Sequence, residues 1–82
     1  MKNIIYKNKS FTLGNKVFLR GSAVGTITSI TENKEEKEIN LWLETFRGKT
    51  IQMTLWRNKV FINSRYRGKL LHLIGDRANE LY

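Results

Sequence analysis

Few residues of this chain could carry out catalysis, because its 82 residues include one histidine, no cysteine and only seven acids. His72 and Asp76 lie four residues apart, but nothing in their spacing from the four serines supports a catalytic triad. Five of the seven acids fall in residues 32–44, a hydrophilic segment for which solvation is the ordinary explanation. The sequence therefore predicts a protein that is not an enzyme and that uses no metal or cofactor.

The segment RGKT at residues 47–50 ends like a phosphate-binding P-loop. That motif needs another glycine five residues before Gly48, where Leu43 stands, and it needs a strand followed by a helix. The segment fails both requirements, and we interpret it as the basic tip of a hairpin.

Charge is distributed unevenly along the chain. Fifteen Lys and Arg against seven Asp and Glu give a net charge of +8 and a pI near 10.1. Residues 1–31 and 45–75 contain no acid, whereas residues 32–44 hold most of them. This segregation favours a surface that binds a polyanion over charge that serves only solubility.

The length supports one domain over residues 1–82. The absence of cysteine excludes a disulfide framework and is compatible with a reducing compartment. The apolar run at residues 4–6 is too short for a signal peptide, and no segment approaches the length of a membrane span. We therefore expect a cytoplasmic protein without membrane contact, and the Lys-, Asn- and Ile-rich composition suits a bacterial, phage or mobile-element source.

The pattern of apolar residues predicts an all-β chain with one short helix. Residues 16–31 are rich in Val, Ile and Thr and are broken by Gly21 and Gly25, which predicts one curved strand. Residues 39–46 and 50–57 each alternate apolar and polar side chains, as half-buried strands do. Together these two segments predict a hairpin.

The alternation is lost after the second of these strands. Asn58 can cap the start of a helix and Gly68 can follow its end, so the sequence predicts a short helix over residues 58–67. Val60 and Phe61 would face the core from this helix.

Two further strands complete the expected elements. One covers residues 69–75, and the other lies within Asn3–Leu13, with Ile5, Phe11 and Leu13 as its core contacts. The second would add a strand before the curved strand.

A three-residue loop in the predicted hairpin would pair Phe46 with Thr50. The residues that then face the core are Leu41, Leu43, Met53 and Leu55. Trp42 and Trp56 lie on the opposite face of the hairpin, as diagonal neighbours.

The two tryptophans have two interpretations. They could form a second buried face, covered by another segment or subunit, or a platform on which the bases of a single strand stack while cations follow the phosphates. Polar residues surround them in the expected register, whereas a second core would need more aliphatic side chains. The pattern therefore favours the platform.

The residues predicted to bind nucleic acid are the rings, the polar residues between them and the neighbouring cations. They are Trp42, Trp56, Phe46, Asn40, Gln52, Thr54, Arg47, Lys49, Arg57, Arg65, Tyr66, Arg67 and Lys69. For Tyr66 a position packed inward remains an equal alternative. The acids Glu32, Glu35, Glu36 and Glu38 are expected to lie away from the binding groove or at its rim, because they would repel phosphate.

The order of these elements resembles the oligonucleotide/oligosaccharide-binding (OB) fold, in the form found in single-stranded DNA-binding proteins. The matching segments are Lys16–Ile30 as the curved first strand, Ile39–Phe46 and Thr50–Arg57 as strands two and three, Asn58–Arg67 as the helix, and Gly68–Gly75 as the entry of strand four. The resemblance implies a small OB-like β-barrel in which the outer surface of strands two and three holds single strands. Only seven residues follow Gly75, so a truncated fifth strand, the N-terminal strand or a second chain would have to close the barrel.

We expect a non-catalytic protein that binds single-stranded DNA with little sequence preference, in replication, recombination or repair. An RNA-binding protein of the OB or cold-shock type is one alternative. A small interaction module, with the tryptophan face as a dimer or partner interface, is another. Monomer and homo-oligomer both remain open, and replication or recombination proteins are candidate partners.

Overall fold

The computed structural model describes residues 2–76, in which the chain forms nine strands and one turn of 3₁₀ helix. The strands are β1 (Asn3–Tyr6), β2 (Lys9–Thr12), β3 (Lys16–Leu19), β4 (Ser22–Asn33), β5 (Glu38–Glu44), β6 (Thr50–Trp56), β7 (Lys59–Ile62), β8 (Arg65–Lys69) and β9 (Leu73–Ile74), and the 3₁₀ turn is Leu70–His72. The predicted all-β fold class is confirmed. The truncated fifth strand, one of the three alternatives for closing the barrel, would fall in residues 77–82, outside the described residues.

Seven of the described strands form one antiparallel sheet in the order β8-β7-β6-β5-β4-β3-β9. The chain runs back and forth from β3 to β8, and the 3₁₀ turn then returns β9 to the side of β3. The spatial order β9-β3-β4-β5 is that of a Greek key. The sheet curls into a half-barrel, consistent with a small OB-like β-barrel, and β1 and β2 pair separately as a hairpin.

In the described part of the chain, four hairpins turn through two residues that both have positive φ. They are Lys7-Asn8, Arg20-Gly21, Arg57-Asn58 and Asn63-Ser64. Positive φ at both positions is type I′ geometry, whose twist matches that of the flanking strands. The turn at Arg20-Gly21 shows that the prediction of one curved strand over residues 16–31 is wrong, because the segment folds back on itself as β3 and β4.

The predicted helix over residues 58–67 is also wrong, because this segment forms the β7–β8 hairpin. Asn58 and Asn63 occupy left-handed turn positions, which asparagine tolerates better than most residues. The expected strand over residues 69–75 is interrupted by the 3₁₀ turn, which leaves only two residues in β9.

The β5–β6 hairpin forms as predicted, but in a register shifted by two residues. Glu44, not Phe46, pairs with Thr50, so the loop has five residues instead of three. The Thr45 backbone closes it, since its carbonyl accepts from Gly48 N–H and its N–H donates to the Lys49 carbonyl, both at 2.8 Å. A shift of two residues keeps each side chain on its predicted face. The four expected core residues, Leu41, Leu43, Met53 and Leu55, are accordingly fully buried.

The N-terminal segment forms a hairpin that packs into the core of the curled sheet, and not the single strand expected. Phe11 is fully buried and Leu13 packs against the core, as predicted. Ile5, however, is 71% exposed, because β1 turns Ile4 and Tyr6 inward instead. Successive side chains of a strand point to opposite faces, so Ile5, which lies between Ile4 and Tyr6, faces away from the core.

Asp76 joins the end of the described chain to this hairpin. Its carboxylate accepts hydrogen bonds from the hydroxyls of Ser10 (2.9 Å) and Thr12 and from Asn15 Nδ2 (2.8 Å). Its backbone N–H also donates to the Ser10 carbonyl at 2.7 Å. Burial alone would raise the pKa of Asp76, but the hydrogen bonds from Thr12, Asn15 and Ser10 outweigh it and lower the pKa below its ordinary value of 3.8. The ionised carboxylate therefore stabilises the fold.

Substitutions in the β1–β2 hairpin should show that it is part of the core. Phe11→Ala should cost about 3–5 kcal/mol of unfolding free energy, because it leaves a cavity beneath the hairpin. Ile5→Ala, in the same hairpin but exposed, should change the free energy by less than about 0.5 kcal/mol. Urea unfolding measures both values. Equal effects of the two substitutions would mean that the hairpin is not packed as described.

The hydrogen bonds to Asp76 predict a loss of stability in acid. A carboxylate with a lowered pKa contributes fully above its unfolded value near 3.8, and the contribution is lost as the pH falls through the folded value. Asp76→Asn should therefore be less stable than the parent at pH 7, and the difference should shrink below about pH 4. Urea midpoints at pH 7 and pH 3 test this, with exposed Glu32→Gln as the control. A difference that stays constant with pH would contradict the assignment.

Candidate functional site

The outer face of the sheet, opposite the core, carries most of the predicted site. A row of directly paired residues crosses five strands from β4 to β8 on this face. The row consists of Thr31, Asn40, Thr54, Phe61 and Tyr66. It brings polar side chains in the middle of the sheet next to aromatic rings near the β8 edge.

Hydrogen bonds fix the orientation of the polar side chains in this row. Asn40 Oδ1 accepts from Thr54 Oγ1 at 2.8 Å and from Gln52 Nε2 at 3.0 Å. Asn40 Nδ2 donates to Glu38 Oε1 at 3.2 Å. The Asn40 amide is thus held from both ends, and it connects β5 to β6 on the outer face.

An open groove of 490 Å³ lies above this network. We call it the outer groove, and its lining residues are Glu36, Glu38, Asn40, Gln52, Thr54, Trp56, Phe61 and Ser64. Three of these, Asn40, Gln52 and Thr54, are predicted site residues that are joined by the hydrogen bonds above. The groove therefore offers aromatic surface and hydrogen-bonding groups in one place.

Phe61 is one of the groove residues that the sequence did not predict as part of the site. The predicted helix turned it towards the core, whereas in β7 it lies between inward-facing Val60 and Ile62 and points to the outer face. Its ring contacts Tyr66 edge to face, with centroids 6.0 Å apart and planes at 69°. Once residues 59–62 are taken as a strand, the alternating direction of successive side chains puts Phe61 on the face opposite to Val60 and Ile62.

The two tryptophans lie on the predicted face, both half-buried, but they are not neighbours. Trp42 pairs with Gln52, and Trp56 lies just beyond the last β5–β6 pair, of Ile39 with Leu55. Trp56 therefore lies opposite Glu38. Glu38 is four residues from Trp42 along β5, so at roughly 3.3 Å per residue the two tryptophan positions are about 13 Å apart along the strands. The predicted diagonal contact is wrong because the hairpin loop is two residues longer than expected.

The remaining predicted residues fall into separate groups. Phe46, 94% exposed, stands with Arg47 and Lys49 on the β5–β6 loop, and the Arg47 guanidinium lies 5.6 Å from the Phe46 ring centroid. Arg57, on the β6–β7 turn, lies over the Trp56 ring at 4.5 Å. The site is therefore spread along the hairpin, with the loop group at the opposite end from Trp56.

Strand β8 forms one edge of the sheet and holds a second line of predicted cations. Arg65, Arg67 and Lys69 are exposed along it. Tyr66, between the arginines, is 55% exposed on the outer face, so the alternative in which it packs inward is wrong. Arg65 pairs with inward-facing Ile62, so it lies on the side of the β8 edge opposite to Tyr66, and its charge reaches the outer face only around that edge.

The acids are closer to the site than expected. Glu36 and Glu38 line the outer groove, so of the two expected positions, away from the groove or at its rim, the first does not apply to these residues. The reason is the short β4–β5 turn of four residues, which lets Glu38 begin β5 on the outer face. The Tyr6 hydroxyl donates to the Lys37 carbonyl at 3.1 Å and fastens this turn to the N-terminal hairpin. Burial raises the pKa of Tyr6, and the charge of Glu38 raises it further.

Comparisons with protein-family models, curated proteins and solved structures found no significant match to this chain. No helix within residues 2–76 is long and apolar enough to cross a membrane. Nor do three or more His, Asp or Glu side chains in the described range come together as a metal site.

The side chains that could act in catalysis have other positions. The Asp76 carboxylate accepts hydrogen bonds from the side chains of Ser10, Thr12 and Asn15. His72 is exposed in the 3₁₀ turn, where its carbonyl accepts from the Arg20 N–H at 2.9 Å. The outer groove instead suits recognition of a planar ring with polar edges, by stacking and by hydrogen bonds.

Alanine substitutions should show, by their cost in stability, that the tryptophans lie on the surface of the sheet and not in its core. Leu43→Ala should cost about 2–5 kcal/mol, since Leu43 is fully buried. Trp42→Ala and Trp56→Ala should each cost about 1 kcal/mol, the scale of a cross-strand contact on a partly exposed face. Thermal unfolding of the three variants provides the comparison. Tryptophan variants as unstable as Leu43→Ala would show that the rings are structural.

Proposed function

We propose that this protein is a non-catalytic single-stranded DNA-binding protein that holds bases against the outer face of its sheet. The observation that carries the proposal is the groove in which Trp56 and Phe61 lie beside the fixed amide and hydroxyl of Asn40 and Thr54. Rings stack on any base, and polar side chains can bond to base edges. Such a protein would serve replication, recombination or repair.

The charges around the groove favour one orientation of the bound strand. Glu36 and Glu38 line the groove and repel phosphate, whereas Arg65 and Arg67 are exposed on the β8 edge beside it. Bases would therefore enter the groove while the phosphates follow the edge. The net charge of +8 supports attraction of the strand from a distance.

The proposal predicts a steep dependence of affinity on salt. Each phosphate contact on a single strand adds roughly 0.7 to the slope of log affinity against log salt. Three to five contacts would give a slope of about 2 to 3.5. Titration of tryptophan fluorescence with poly-dT at several salt concentrations measures it, and matched DNA and RNA oligomers separate the two sugars. A flat response to salt would remove nucleic-acid binding as the function.

Substitutions on the proposed binding surface should weaken the binding of poly-dT. Trp56→Ala and Phe61→Ala should each weaken poly-dT binding by about 1–3 kcal/mol, the value of a stacked base. The double variant Arg65→Gln, Arg67→Gln should lower the salt slope by about 1.4, at roughly 0.7 per contact. Lys34→Gln, which removes one positive charge on the acidic β4–β5 turn, should leave the slope unchanged, whereas each β8 arginine should account for roughly 0.7 of it. Equal effects of Lys34 and the β8 arginines would place the phosphates elsewhere.

A further inference from the structure

The wall of the outer groove on the β5 side of Trp56 is acidic, whereas Lys59, paired with Trp56 on its other side, and Arg57, over its ring, are basic. Glu36 and Glu38 both line it, and Glu38 is half-buried. Ionised carboxylates only accept hydrogen bonds. An occupant of this end of the groove must therefore present donors to the acidic wall and keep its own negative charge away from that wall.

The hydrogen bonds of the groove floor hold Glu38 in place. The Asn40 amide donates to Glu38 Oε1 at 3.2 Å, while its oxygen is occupied by Thr54 and Gln52. Since the amide cannot turn over without breaking these bonds, Asn40 keeps its donor group on Glu38. The carboxylate is thus a positioned acceptor on the same face as Trp56, at the neighbouring position across the strands.

The bases differ in how well they match a carboxylate. Guanine presents two adjacent donors on its pairing edge, the ring N1–H and the exocyclic amino group, which can bond to both oxygens of one carboxylate. Thymine and uracil place their single N–H between two carbonyl oxygens, which a carboxylate repels. Cytosine and adenine offer one amino group beside a ring nitrogen that only accepts. Guanine is therefore the base that complements this wall.

We infer that the outer groove selects guanine within a bound single strand, with Glu38 accepting from the pairing edge while the base stacks against Trp56. This inference rests on the proposed function and deepens it, because it replaces uniform binding with a preference for one base. The phosphates would follow the β8 edge, along which Arg65 and Arg67 are exposed, and not the acidic wall.

Nonamers with one variable central base test the inference. The probes are dT9 and the same strand with a single guanine, hypoxanthine, adenine or cytosine at the centre, at one salt concentration. The guanine strand should bind about 5- to 150-fold more tightly than dT9, the range for a bidentate contact to a base. Hypoxanthine lacks the exocyclic amino group, so its strand should bind with intermediate affinity.

Glu38→Gln should abolish the preference for guanine, so that this variant binds the guanine strand and dT9 with equal affinity. The matched control is Glu44→Gln, at the other end of β5 on the same face, away from the residues that line the outer groove. This control should keep the full preference. Affinities are measured by anisotropy of labelled nonamers.

The outcomes separate the inference from the proposed function. If all nonamers bind equally and with the expected salt slope, the selection of guanine is wrong and single-strand binding stands. If guanine is preferred but Glu38→Gln retains the preference, the assignment to Glu38 is overturned. If no nonamer binds, the proposed function and the inference both fail.

Discussion

The burial of one face of the β5–β6 hairpin is the constraint on which the rest of the structure depends. Leu41, Leu43, Met53 and Leu55 are all fully buried, and a slip of one residue would expose all four to water. The polar and aromatic residues that alternate with them must therefore face outward. The neighbouring strands β4 and β7 pair with this hairpin, so they extend the same outer face and bring Thr31 and Phe61 into line with it.

The edges of the sheet are stabilised by polar contacts as well as by the core. The N-terminal hairpin inserts Phe11 into the core, and Asp76 bonds to the same hairpin from the other end of the described chain. Gly75 is required at this junction, because a Cβ there would collide with the Phe11 ring at 2.6 Å and with the Ser10 carbonyl. These contacts hold the curled sheet from which the outer groove is built.

The sequence predicted the faces of the central hairpin but not its register or its neighbours. Alternation determines which side each residue takes, so Trp42 and Trp56 were placed correctly on the outer face. Loop length is not encoded in alternation, and the backbone bonds of Thr45 lengthened the loop by two residues. The β7–β8 hairpin was missed because Asn58 suits a helix cap and a left-handed turn equally well. Because residues 58–67 were predicted as a helix, Phe61 was not predicted on the outer face. Glu38 was not expected to line the groove, because the segment before residue 39 was predicted as a loop, whereas β5 begins at Glu38.

Mapping the surface that a single strand contacts would show whether it binds on the outer face of the sheet. Backbone and indole N–H resonances would be followed by NMR as dT9 is added to the intact chain. Binding in the outer groove should give the largest shifts at Asn40, Thr54, Trp56 and Phe61. The resonances of Ile5, exposed on the N-terminal hairpin, should not shift. Shifts centred on the hairpin around Ile5, or none at all, would contradict binding on the outer face.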